Sequence, residues 1–86
     1  MASKFQSKII KEYKLKGYTV LNIMKLSNSG YPDLLCIKKN EVDIWIECKE
    51  LNDTLKELQK QRIDELISLG KKAICLQDTK GQIYPI

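Results

Sequence analysis

The sequence predicts an α/β domain in which helices pack on a mixed sheet, and three observations lead there. Apolar residues recur at helical spacing in two segments, one at the start of the chain and one past its middle. Three stretches rich in strand formers lie between those segments and two more follow them. Glycine, proline and asparagine punctuate the joins.

The first helix is expected over residues 3–16, with Ser3 as its N-cap and Gly17 as its stop. Phe5, Ile9 and Tyr13 recur every four residues with Ile10 alongside, so one face is apolar while lysines line the other. Residues 18–25 read as a strand. Ser27 to Pro32 is loop chemistry, ending in a proline that forces the preceding residue away from helix. Asp33 to Lys38 and Val42 to Lys49 read as two strands joined through Lys39-Asn40-Glu41. Ile44, Ile46 and Cys48 would share one face of the second, and Trp45, Glu47 and Lys49 the other. Asn52, Asp53 and Thr54 offer N-caps for a second helix reaching Leu69 and closed by Gly70, with Leu55, Leu58, Ile63, Leu66 and Leu69 as its stripe. Two short strands, 73–77 and 82–84, turn at Asp78-Thr79-Lys80-Gly81.

Eighty-six residues are expected to make one domain, 1–86. A chain of this size buries only roughly 60–65% of the surface its unfolded form exposes, so a metal or a partner subunit would help it. No apolar run approaches the roughly 20 residues of a membrane span, and the N-terminus lacks a signal-peptide core. The expected location is therefore intracellular and cytoplasmic, with no membrane contact. Cys36, Cys48 and Cys75 lack metal-ligand or disulfide spacing and read as small hydrophobes in a reducing compartment. With no histidine, His-based acid–base catalysis and His-containing zinc sites are excluded. A formal charge of +4 favours a polyanionic partner.

Two carboxylates oppose local preference. Asp33 opens an apolar strand directly after Gly30-Tyr31-Pro32. Glu47 sits within Ile-Trp-Ile-Glu-Cys-Lys, where burying an unpaired carboxylate would be costly. Lys49 shares the face of Glu47, because strand side chains alternate with period two. A hairpin between the two strands sets the start of one beside the end of the other, so Asp33, Glu47 and Lys49 converge. Two carboxylates, helped by a main-chain carbonyl such as that of Cys48, make a hard oxygen site for Mg²⁺ or Mn²⁺. A lysine beside it can orient a water and balance developing negative charge. Taken singly, an ExK triplet or an Asp after proline is common, and a surface ion pair or a capped turn would account for either. Gln59 lies on or beside the apolar stripe of the second helix, while Gln61 points more to solvent. A glutamine so placed can order the nucleophilic water or contact DNA, or be a tolerated edge residue.

Pro32-Asp33 and Glu47-Cys48-Lys49 resemble the two halves of the signature of the PD-(D/E)xK nuclease superfamily. Gly30-Tyr31-Pro32-Asp33-Leu34-Leu35 is similar to the G-x-P-D-L-L element of its virus-type replication-repair nuclease (VRR-NUC) branch. Gln59, 11 residues before Gly70, matches a further feature of that branch. The resemblance spans nearly the whole chain. It implies a restriction-endonuclease-like αβββαβ core, a mixed sheet flanked by helices, with a small added hairpin strand. It also implies catalytic Asp33, Glu47, Lys49 and Gln59, and a metal held by Asp33, Glu47 and the Cys48 carbonyl. Related resolvases carry a first-helix glutamate where this chain has Gln6, which would meet the metal through its carbonyl or a water. That departure weakens the expected metal affinity, not the reaction class.

Standalone domains of this branch, viral in origin, are similar to Holliday-junction resolvases. The resemblance therefore implies a Mg²⁺- or Mn²⁺-dependent endonuclease that acts as a homodimer on branched DNA, encoded by a virus or phage. Resolving a four-way junction takes two nicks and one site makes one, which agrees with a dimer. Lys4, Lys8, Lys11, Ser27 and Ser29 are the expected DNA contacts. The competing expectations are a nuclease for linear duplex or flapped DNA, a DNA-binding module without turnover, and a protein-interaction domain.

Overall fold

A computed structural model describes residues 3–24 and 29–86. Ser27 and the end of the first expected strand, Lys25, lie outside the described residues. The elements run α1 (Lys4–Leu15), β1 (Thr19–Asn22), β2 (Leu34–Ile37), β3 (Ile44–Lys49), α2 (Glu57–Ser68), β4 (Lys72–Gln77) and β5 (Gly81–Tyr84). The strands form one sheet in sequence order. β1–β2, β2–β3 and β4–β5 are antiparallel, while β3–β4 is parallel, with α2 as the crossover. This is the expected mixed α/β sheet, small final strand included.

Strand alternation divides the core in two. Leu34, Cys36, Ile44, Ile46 and Ile74 point to one face and bury against Phe5 and Ile9 of α1. Ala73 and Cys75 point to the other, where Leu55, Ile63 and Leu66 cover them and Trp45 packs alongside. The helices therefore sit on opposite faces, and β3 and β4, covered on both, carry the near-continuous apolar runs such strands need. α1 starts as expected: the Ser3 hydroxyl accepts the Gln6 N–H at 3.0 Å. Gly17 follows with φ +94°, the left-handed geometry that ends a helix cheaply only at glycine.

α2 departs from expectation. It begins at Glu57 rather than after Asn52-Asp53-Thr54. The Asp53 carboxylate accepts the N–H of its neighbour Thr54 instead, a local bond that competes with helix. Lys56 occupies the cap position, and its N–H donates to the Gln59 side chain at 2.9 Å. Leu55 stays in the core from outside the helix, whereas Leu58 and Leu69 of the expected stripe are 42% and 69% exposed. The stripe narrows to Ile63 and Leu66 because α2 covers only part of the sheet.

Candidate active site

β2 and β3 are paired with Leu34 opposite Ile46 and Cys36 opposite Ile44. Continuing this register by one residue sets Asp33 opposite Glu47. Directly opposed side chains on antiparallel strands have Cβ atoms roughly 4.5–5.5 Å apart, so the two carboxyls meet. Lys49, two residues on and on the same face as Glu47, brings its ammonium to 3.7 Å from Glu47 Oε2. Glu47 and Lys49 are both buried. Gln59 completes the group from α2: while its oxygen takes the Lys56 N–H, its Nε2 lies 3.4 Å from Glu47 Oε2. The fold thus gathers Asp33, Glu47, Lys49 and Gln59 at one end of the sheet.

Two clamps hold Asp33. The Ile23 N–H donates to its carbonyl at 2.8 Å, and the Cys48 N–H reaches its Oδ2 at 3.3 Å. The turn before it is fastened to α2. Arg62, the chain's one arginine, donates from Nε to the Ser29 carbonyl at 2.7 Å, and its guanidinium lies 4.9 Å from the Tyr31 ring centre. The Tyr31 hydroxyl donates to Glu65 at 2.6 Å. Gly30, at φ +81°, presses on α2 so closely that a Cβ there would stand 2.7 Å from Leu58 Cγ. No larger residue fits both the backbone and the space.

The electrostatics follow from burial and crowding. Burial pushes the Glu47 carboxyl up to about 8, the opposed Asp33 pushes the same way, and Lys49 only partly offsets them. The Asp33 carboxyl is also raised by burial, against the pull of the Cys48 N–H and Lys49. A buried carboxyl pair of this kind retains a proton near neutral pH unless a cation takes its place. Glu47 Oε1 is buried and has no hydrogen-bond partner among the described residues. An orphaned carboxylate oxygen beside a second carboxyl suits a divalent cation.

The main chain fits too. Lys49 gives its carbonyl to the Asp78 N–H next to β4. Alternation then turns the Cys48 carbonyl the other way, to the side where its N–H meets Asp33. Among the described residues no three His, Cys, Asp or Glu side chains gather as a metal cage. Mg²⁺ does not need one: it is commonly held by one or two carboxylates and keeps several waters.

Other expected residues lie apart. Gln6 is buried, its Nε2 without a partner among the described residues, on the helix that covers the face opposite Glu47. Among the described residues no hydrogen bond joins it to either carboxyl. Lys4, Lys8 and Lys11 are exposed on that same helix. Ser29 is exposed, with its carbonyl committed to Arg62. A groove of about 260 Å³ between α1 and the end of β4 includes Phe5, Ile9 and Leu76 in its lining and touches none of the four gathered side chains.

Sequence reasoning missed Lys56, which caps α2 and whose N–H donates to the Gln59 side chain. It also missed Asp53, whose carboxylate is 3.8 Å from the Lys49 ammonium. Their spacing from Gln59 and from Lys49 was the only signal. All three thiols are free, and burial raises each of them, Cys36 to about 11 and Cys75 to about 12.

No family model and no curated protein sequence matches the chain. A solved structure described as a VRR_NUC domain is similar to it, with a TM-score of 0.71 and 22% identity over 84% of this chain and 78% of that one. At such identity the likeness concerns architecture. No described helix is long and apolar enough to cross a membrane. With two helices flanking a mixed sheet whose β2–β3 hairpin gathers two carboxylates and a lysine, the chain has the fold of a VRR_NUC domain.

Proposed function

We propose that this chain is a Mg²⁺- or Mn²⁺-dependent DNA endonuclease that hydrolyses phosphodiester bonds and, as a homodimer, resolves four-way junctions. The observation that carries the reading is the opposition of Asp33 to Glu47, with one Glu47 oxygen buried and without a partner among the described residues and Lys49 against the other. The shared VRR_NUC fold supports the same class of chemistry.

Asp33 and Glu47 would hold the ion, with the Cys48 carbonyl as a third donor. When bound, it supplies Lewis-acid polarisation of a phosphate oxygen and a water of lowered pKa. Lys49, against Glu47, would balance the charge that develops on the phosphate. Gln59 would steady Glu47 through Nε2, whose second hydrogen has no acceptor among the described residues and would orient water. Lys56 and Lys60, with the lysines of α1, offer phosphate contacts whose strength falls with salt.

The test compares cleavage of a synthetic four-way junction, a linear duplex and a flapped duplex in Mn²⁺, by the native chain and by Asp33→Ala. Paired nicks in the junction, slow cutting of the other two, and loss of activity in the variant are expected. Equal cutting of all three removes the resolvase assignment. Binding without cleavage at any divalent-metal concentration replaces the enzyme with a DNA-binding module. Undiminished activity in Asp33→Ala contradicts the site.

A further inference from the structure

Gln77 ends β4 directly beside Lys49 in the parallel register of β3 and β4, on the same face of the sheet. It is polar and 6% exposed at the end of an otherwise apolar strand. Its single amide nitrogen lies 3.0 Å from the Glu50 carbonyl, 3.2 Å from that of Leu51 and 2.8 Å from that of Asp53. Two amide hydrogens thus serve three carbonyls of the loop that leaves β3. The Asp53 N–H bonds back to the Glu50 carbonyl at 3.0 Å, closing that loop into a turn. From it the Asp53 carboxylate reaches 3.8 Å from the Lys49 ammonium.

The geometry points to Gln77 as a positioning residue for Lys49, acting through Asp53: it folds the loop so that Lys49 is held between the carboxylates of Asp53 and Glu47. The inference rests on the reading of Lys49 as part of a nuclease site. A lysine has a long, freely rotating stem and needs such a frame if its ammonium is to stay in one place. Glu47 alone would draw the ammonium toward the position a divalent cation takes. Asp53, pulling from the other side, keeps it beside that position. An apolar residue in place of Gln77 would leave the Leu51 and Asp53 carbonyls without a donor among the described residues and the Glu50 carbonyl with the Asp53 N–H alone, loosening the loop that carries the Asp53 carboxylate.

The experiment compares the native chain with Gln77→Met, Asp53→Asn and the double variant. One readout is the ¹H–¹⁵N correlation of the Lys49 ammonium, and the other is single-turnover junction cleavage in Mn²⁺. The native ammonium should give a slowly exchanging signal that is lost in each variant while the backbone amide spectrum stays that of a folded chain. Cleavage should slow by about 10- to 100-fold, the scale of a displaced catalytic group, at an unchanged half-saturating DNA concentration. Because the two residues act in series, the double variant should be no slower than the slower single one. An unaltered ammonium signal in Gln77→Met, or slowing that multiplies in the double variant, overturns the inference. Should Gln77→Met fail to fold, Gln77→Asn, whose shorter amide cannot reach all three carbonyls, decides by the same signal, and an unaltered signal in Asp53→Asn overturns the inference by itself. If the native chain cuts no DNA, the nuclease reading fails, and the ammonium signal alone decides whether Gln77 and Asp53 position Lys49.

Discussion

Glu47→Gln is expected to abolish metal-dependent cleavage, by on the order of 10³-fold, the scale on which removing one electrostatic partner of a transition state acts. In metal-free buffer the same change should stabilise the fold. Folding raises the Glu47 carboxyl from its ordinary pKa of 4.5 to about 8. A carboxyl raised on folding contributes stability that is fully present below its unfolded pKa and is lost as pH rises through the folded one. Native stability should therefore decline from about pH 5 to about pH 8 and then level. The glutamine amide carries no charge at any of these pH values and can donate to Asp33. E47Q should consequently unfold at a higher temperature than the native chain at pH 8, with the gap closing near pH 5. Saturating Mn²⁺ should reverse the order, because the ion binds only the folded native site. Thermal unfolding at pH 5 and 8, with and without Mn²⁺, checks all four cases.

Lys49→Met should be the second severe change, and its signature is the opposite. Removing one partner of a buried ion pair leaves the other uncompensated, at a cost of about 3–5 kcal/mol. The pair is buried, with side chains 6% and 4% exposed, but the loss is one-sided. Without the Glu47 charge Lys49 still has the Asp53 carboxylate, whereas without Lys49 the crowded carboxyls lose the ammonium beside them. The carboxyls can escape most of that cost by keeping a proton, so the loss depends on pH. Near pH 5 the variant should fall only modestly below the native chain. By pH 8 it should fall by several times as much, because Glu47 must then either ionise without its counter-charge or hold its proton against solution. Urea unfolding midpoints at the two pH values give the comparison, and an equal loss at both would contradict the account. Cleavage should drop on the order of 10³-fold in either buffer.

These two residues also show how far the sequence could be read. Glu47 and Lys49 stand out because a charged pair at period two in the strand Ile-Trp-Ile-Glu-Cys-Lys is costly without a purpose. The short Lys39-Asn40-Glu41 connection then required the strands on either side to reverse, which brings Asp33 to Glu47. Both inferences rest on local rules, alternation and turn length, and the register of β2 and β3 agrees with them. Gln59 is singled out by a different local rule, the helical period, and its Nε2 lies 3.4 Å from Glu47 Oε2.

What escaped depends on contacts between segments distant in sequence. Asp53 looked like a helix cap, yet its role in the fold is set by Gln77, 24 residues away. Nothing within residues 50–56 alone marks that link. Leu58 and Leu69 fit the helical period and are exposed nonetheless, because periodicity reports which residues share a face and not how wide a neighbour will cover it. Arg62 resembled any basic residue on a polar helix face. Only the assembled turn at Ser29-Gly30-Tyr31 shows that its guanidinium is spent on holding the approach to Asp33.

Anomalous diffraction from crystals soaked in Mn²⁺ tests the shared-cation site most directly. One peak per chain is predicted at coordination distance, on the order of 2 Å, from both the Asp33 and Glu47 carboxylates, with the Lys49 ammonium beside it and outside the coordination sphere. A crystal that takes up Mn²⁺ elsewhere, or one in which the two carboxyls remain joined through a proton at saturating Mn²⁺, would contradict it.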